Sequence, residues 1–89
     1  MQDKIVTIKV DIGLHARPAA LFVQTAKRMQ SDIKLKHGEK EANAKSIMQV
    51  LTLGVKQYDQ LEITTEGPDE KDAMQALIAL VESDFCETK

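Results

Sequence analysis

The stretch Gly13-Leu14-His15-Ala16-Arg17-Pro18-Ala19 places a nucleophile, a cation and a helix-start signal within seven residues. A neutral imidazole is a competent nucleophile near neutral pH. Pro18 has no N–H and a fixed φ, so it fits the first turn of a helix and not its interior. His15 therefore falls at or just before a helix N-terminus, close to the N-cap. Unpaired first-turn N–H groups and the helix dipole favour negative charge there, and a positive end favours the neutral imidazole with a free nitrogen. Arg17 adds a permanent cation whose planar fork can hold phosphate oxygens. Gly13 lets the backbone turn sharply out of the preceding element. A lone histidine at a helix start is ordinarily a capping or surface residue. With Gly13, Arg17 and Pro18 in this register, the better reading is a histidine that carries a phosphoryl group in a shallow, exposed cradle. No second acid, base or metal ligand stands beside it in the sequence, so neither a metal nor a cofactor is expected.

Ser46 opens a second candidate, Asn43-Ala44-Lys45-Ser46-Ile47-Met48-Gln49. Ser46 with Gln49 three residues later is a capping-box pattern, worth roughly 1 kcal/mol as an N-cap. That structural role is the simplest reading. A phosphate on Ser46 would also lie at a helix N-terminus and should be tolerated by the fold. Ile47, Met48 and Leu51 beside it are readable either as core or as contact residues. On a helical wheel Leu21 falls roughly 160° from the Ala19–Val23–Ala26 stripe, on the arc of Arg17 and Arg28. With Ala20, Gln24 and Lys27 it forms a candidate docking patch with a basic rim. His37 reads as an exposed turn residue, and Cys86 as a free thiol in a polar C-terminal stretch. Met29, Met48 and Met74 have helical spacing that suits packing.

The elements that position these residues follow from periodicity. Residues 4–10, 32–36, 40–43 and 60–65 alternate as half-buried strands, with Val6, Ile8 and Val10 on one face of the first. His37-Gly38-Glu39 supplies a hairpin turn, Gly38 being the natural site for positive φ. Residues 16–30 repeat Ala19, Phe22, Val23, Ala26 and Met29 at helical spacing, and residues 70–83 do so through Ala73, Ala76, Leu77, Leu80 and Val81. Asp69 is placed as the N-cap of the last helix. A short helix follows Ser46 and stops near Gly54. The expected order is β-α-β-β-α-β-α: an α+β open-faced sandwich, with three helices on one face of a four-stranded antiparallel sheet.

Composition narrows the function classes. The 89 residues are expected to form one domain, residues 1–89, near the lower size limit for a self-sufficient core. A net charge of −2 and three aromatic residues, Phe22, Tyr58 and Phe85, give no support to direct nucleic-acid binding. The longest apolar run, from Ala76 to Val81, is far too short for membrane insertion. A single cysteine and an opening Gln2-Asp3-Lys4 without a secretory-type apolar stretch point to the cytoplasm.

Gly-Leu-His-Ala-Arg-Pro-Ala resembles the active-site motif of the HPr family of the bacterial sugar phosphotransferase system, and the inferred element order is that family's along essentially the whole chain. The resemblance implies a carrier and not an enzyme. His15 would accept phosphate on Nδ1 from phosphorylated Enzyme I and donate it to sugar-specific enzyme II A components, with Arg17 steadying the phosphate. Lys-Ser-Ile-Met resembles the regulatory serine segment of HPr proteins from Gram-positive bacteria. That implies modification of Ser46 by an HPr kinase/phosphorylase, weaker engagement of Enzyme I and attraction of a CcpA-type transcription regulator.

The sequence also departs from the family pattern. Ile12 stands where many members have Ser or Thr, Gln49 where Gly is common, and Tyr58 where Gly is frequent, which should alter the turn before the last strand. Ala19-Ala20-Leu21-Phe22-Val23-Gln24 together with Asn43-Ala44-Lys45-Ser46 is similar to the regulatory paralogue Crh, which lacks the active-site histidine that is present here. Two further readings thus stand beside the carrier: a Crh-like regulator acting through phospho-Ser46, and an unrelated small α+β module such as an acylphosphatase-like domain.

Overall fold

The computed structural model describes residues 1–9 and 16–82. In chain order the elements are β1 (Gln2–Thr7), α1 (Ala16–Lys27), β2 (Asp32–His37), β3 (Lys40–Asn43), α2 (Ile47–Thr52), β4 (Gln60–Glu66) and α3 (Glu70–Glu82). The strands form one antiparallel sheet in the order β1-β4-β2-β3. This is the α+β arrangement expected from the sequence. No helix among the described residues is long and apolar enough to cross a membrane.

Alternation decides which side of the sheet the helices cover. Ile33 and Leu35 of β2, Ala42 of β3 and Leu61, Ile63 and Thr65 of β4 are buried, whereas Asp32, Lys34, Lys36 and Glu41 between them are exposed. Against the buried face pack Ala19, Phe22, Val23 and Ala26 of α1, Val50 of α2, and Ala73, Met74, Leu77 and Val81 of α3. A Phe22→Ala change at the centre of this layer would cost about 3–5 kcal/mol. The β2–β3 turn is the expected hairpin, with Gly38 at φ 62° and His37 opposite Lys40.

Element boundaries shift where pairing or capping overrides local pattern. β1 starts at Gln2 and ends at Thr7, because its ladder with β4 runs from Gln2↔Thr65 to Thr7↔Gln60. Ile8 continues its buried face, while Val10 lies outside the described residues. α1 ends at Lys27 instead of residue 30: the N–H groups of Arg28 and Met29 donate to Thr25 and Ala26, three residues back, which tightens the last turn. The Lys45 ammonium then donates to the Met29 carbonyl at 2.9 Å, so the residue before Ser46 caps the end of α1.

Asp69 precedes α3 as expected, but its carboxylate reaches across to another loop. It accepts from the backbone N–H groups of Gln30 and Ser31, each at 2.9 Å, and from the Ser31 hydroxyl. Glu70 instead serves the α3 start locally, accepting from the Gly67 N–H at 3.2 Å and pairing with the Met1 amine at 2.7 Å.

Candidate functional site

α1 begins at Ala16, so the helix N-terminus directly follows His15 in the chain. His15 itself, with Ile12, Gly13 and Leu14, lies outside the described residues, and Arg17 and Pro18 fall in the first turn of α1. That turn carries no acidic side chain, so no carboxylate of its own offsets the partial positive charge of its N–H groups.

The chain that leads from β1 toward residue 10 is held at the end of the sheet where β4 begins. The Ile8 N–H donates to the Asp59 carbonyl at 3.0 Å, and the Ile8 carbonyl accepts from the Tyr58 N–H. The Gln57 side-chain amide donates to the Lys9 carbonyl at 3.3 Å. Tyr58 sits at φ 70° with its ring exposed, a left-handed conformation that ordinarily favours glycine.

His37 joins the same end and corrects its reading as an exposed turn residue. It is the last residue of β2 and half-buried, with Nδ1 2.9 Å from the Leu53 carbonyl and Nε2 3.1 Å from the Asp59 carboxylate. Leu53 is the C-cap of α2, and the Asp59 carboxylate also accepts from the Lys56 N–H at 2.9 Å. The composition gave no signal for this group, because its members are drawn together only by the fold.

Ser46 occupies the N-cap of α2 with extended φ and ψ of −116° and 110°, and its carbonyl accepts from the Val50 N–H at 3.0 Å. The capping box is half formed. The Gln49 N–H reaches the Ser46 hydroxyl at a long 3.5 Å, while the Gln49 side chain accepts from the Asn43 N–H at 2.8 Å instead of returning to Ser46. Asn43 in turn accepts from the Lys45 N–H through its side chain, a local turn that sets the approach to the cap.

The docking candidates divide by burial. Met48 is 70% exposed and Leu51 38%, and Gln24 and Lys27 are exposed on α1. Ile47, Ala20 and Leu21 are half-buried, Ile47 and Leu21 against the core. Leu21 thus departs from the exposed position given by the wheel: α1 packs on both α2 and α3, which widens its covered arc. The helices carrying both halves of the candidate patch are packed neighbours.

Residues 2–83 match the family model of the PTS HPr component phosphorylation site. The HPr-like protein Crh of Halalkalibacterium halodurans is 46% identical over 84 residues, covering 94% of this chain and 100% of that protein. The crystal structure of an HPr from Thermoanaerobacter tengcongensis superposes with a TM-score of 0.94 at 47% identity, covering 100% of both chains. HPr from Bacillus anthracis follows at a TM-score of 0.86 and 45% identity, covering 90% of this chain and 95% of that one. The matched family defines a phosphoryl-carrier class, whose members bear phosphate on histidine and are not themselves enzymes. The chain belongs to the HPr family of phosphocarrier proteins of the phosphotransferase system, with Crh-like features.

Proposed function

We propose that His15 accepts phosphate from Enzyme I of the phosphoenolpyruvate-dependent sugar phosphotransferase system and passes it to enzyme II A components. The observation that carries this reading is a histidine directly before the first residue of α1, in Gly-Leu-His-Ala-Arg-Pro-Ala, within a chain of the HPr family. A ring nitrogen of the neutral imidazole forms the new N–P bond as the bond from phosphorus to the donor breaks. The N-terminal N–H groups of α1 and the Arg17 guanidinium favour the charge that arrives. Exposed Met48 and Leu51, with Gln24 and Lys27, form the apolar and basic face on which Enzyme I and the II A components dock, and Ala20, Leu21 and Ile47 support it from its half-buried margin. The relay operates in the cytoplasm.

Ser46 is the regulatory position, modified by an HPr kinase/phosphorylase. Its N-cap place on α2 supports this reading, because a phosphate there meets a helix N-terminus and leaves the fold intact while adding a dianion beside the docking face. A second reading, a Crh-like regulator that acts mainly through phospho-Ser46 and a CcpA-type transcription regulator, is favoured by the 46% identity to a Crh-like protein.

The two readings separate in a reconstituted relay of phosphoenolpyruvate, Enzyme I, this chain and an enzyme II A component. Label should reach the II A component with the wild-type chain and not with His15→Ala. Failure of the wild-type chain to relay, combined with ATP-dependent labelling of Ser46, would replace the carrier by the regulator.

A further inference from the structure

His37 links two parts of the molecule that the carrier reading uses separately. Its Nδ1 lies 2.9 Å from the Leu53 carbonyl, the C-cap of the helix that carries Met48 and Leu51. Its Nε2 lies 3.1 Å from the carboxylate of Asp59, whose own carbonyl accepts from the Ile8 N–H at 3.0 Å. From Ile8 the chain runs directly through Lys9 toward residues 10–15. Both partners of the imidazole are acceptors, so both bonds form together only when each ring nitrogen carries a hydrogen. The neutral ring must give up one of them.

We propose that His37 is a positioning residue whose charge couples the C-terminal end of α2 to the strand exit that precedes the phosphoacceptor histidine. With the imidazolium in place, the Leu53 carbonyl and the Asp59 carboxylate are drawn to one ring, and the Ile8–Asp59 bond fixes the direction in which the chain leaves β1. Loss of the proton breaks the link in either tautomer: the ring releases the Leu53 carbonyl, or it releases Asp59 to its bond with the Lys56 N–H, 2.9 Å away, and loosens that exit. Among the described residues, Asp59 on the approach to β4 contacts the ring, and Lys40 in β3 is the cross-strand partner of His37; α2 presents the Leu53 carbonyl. Lys36 and Glu62, paired on β2 and β4, alternate to the open face of the sheet. The link from His37 to transfer rate rests on the carrier reading above, whereas the link from His37 to Ile8 does not.

The chain has two histidines, so in a His15→Ala background His37 is the sole imidazole. Amide shifts followed by NMR across a pH series should show Ile8, Lys9 and Leu53 responding with a single midpoint. The response should vanish in His37→Gln; in Asp59→Asn it should vanish at Ile8 and Lys9 while Leu53 still responds, with unchanged circular dichroism as the check that both variants fold. With His15 restored, the second-order rate of phosphorylation should fall about tenfold in either variant, as expected for a lost positioning contact. The double variant should be no slower than either single one. Amides of Ile8 and Lys9 that do not follow His37 would overturn the coupling. Equal rates for wild type and His37→Gln at every pH would overturn its role in transfer. A wild-type chain that takes no phosphate at all would instead refute the carrier reading, leaving the amide titration to decide the coupling.

Discussion

The Asp69 carboxylate stands 2.9 Å from the Ser31 N–H, and it also receives the Ser31 hydroxyl, while that hydroxyl oxygen accepts from the Asp69 N–H at 3.2 Å. The loop between α1 and β2 is thereby tied to the start of α3, 38 residues further along the chain. Ser31 is fully buried, so this reciprocal pair also satisfies polar groups that have no access to water.

The pair predicts an acid-sensitive joint. The Ser31 hydroxyl, followed by the Gln30 N–H, holds the Asp69 carboxyl below its ordinary value of 3.8. A lowered native value means that the unfolded chain binds the proton more readily. The stabilisation is therefore present above about pH 4 and is lost as pH falls through the native value. Glu70, lowered from 4.5 by the N-terminal amine and then the Gly67 N–H, acts in the same sense. Glu62 acts oppositely: its hydrogen bond with Asp3, and then the charge of Asp3, raise it from 4.5, so its contribution is present at low pH and lost as pH rises. Asp69→Asn isolates the joint. Its melting temperature should lie below wild type at neutral pH, and the gap should close as thermal scans move below about pH 4.

Gly67 faces the same joint from the other side. At φ +151° it adopts a conformation that L side chains rarely take, and a Cβ there would lie 2.7 Å from the Ser31 Cα. Gly67→Ala should lose about 2–4 kcal/mol from combined backbone and packing strain, read as a lower urea midpoint with unchanged slope. A change within about 0.5 kcal/mol would place it among ordinary surface substitutions and show that the two loops can move apart freely.

Tyr58 offers the reverse test. Its positive φ of 70° carries a side chain that is 71% exposed and packs little. Relieving a left-handed conformation is worth roughly 1–2 kcal/mol, partly offset by the greater entropy of glycine when unfolded. Tyr58→Gly should therefore stabilise the chain by about 0.5–1 kcal/mol in equilibrium denaturation.

Ser46 separates a weak structural role from a stronger effect on partners. With its hydroxyl at 3.5 Å from the Gln49 N–H, Ser46→Ala should cost about 0.5 kcal/mol, the low end for an N-cap. Ser46→Asp should preserve stability through the helix dipole yet slow phosphorylation by Enzyme I severalfold in steady-state assays. An unchanged rate would remove Ser46 from the docking surface.

Much of this architecture was legible because it is periodic or local. Ile33 and Leu35, Leu61 and Ile63, and the stripe Ala19–Phe22–Val23–Ala26 announce their buried faces by spacing alone, and Gly38 announces its turn. The helix start after His15 was legible from Pro18 in the same way. What escaped depends on pairs remote in sequence. Asp69 has the residue type of an N-cap, but its stronger partners are Gln30 and Ser31, and Gln49 turns from its capping box toward Asn43. The wheel that exposed Leu21 counted one packing surface where the fold supplies several. His37 carried no motif, and its role follows only once Leu53 and Asp59 are brought to either side of the ring.

The central claim is that His15 is the phosphoacceptor, and intact-mass spectrometry tests it most directly. The purified chain is incubated with phosphoenolpyruvate, magnesium and Enzyme I. The expected result is one phosphate adduct that is lost in mild acid and absent from His15→Ala. An adduct that persists in His15→Ala, or no adduct under conditions that label an authentic HPr, would contradict the account.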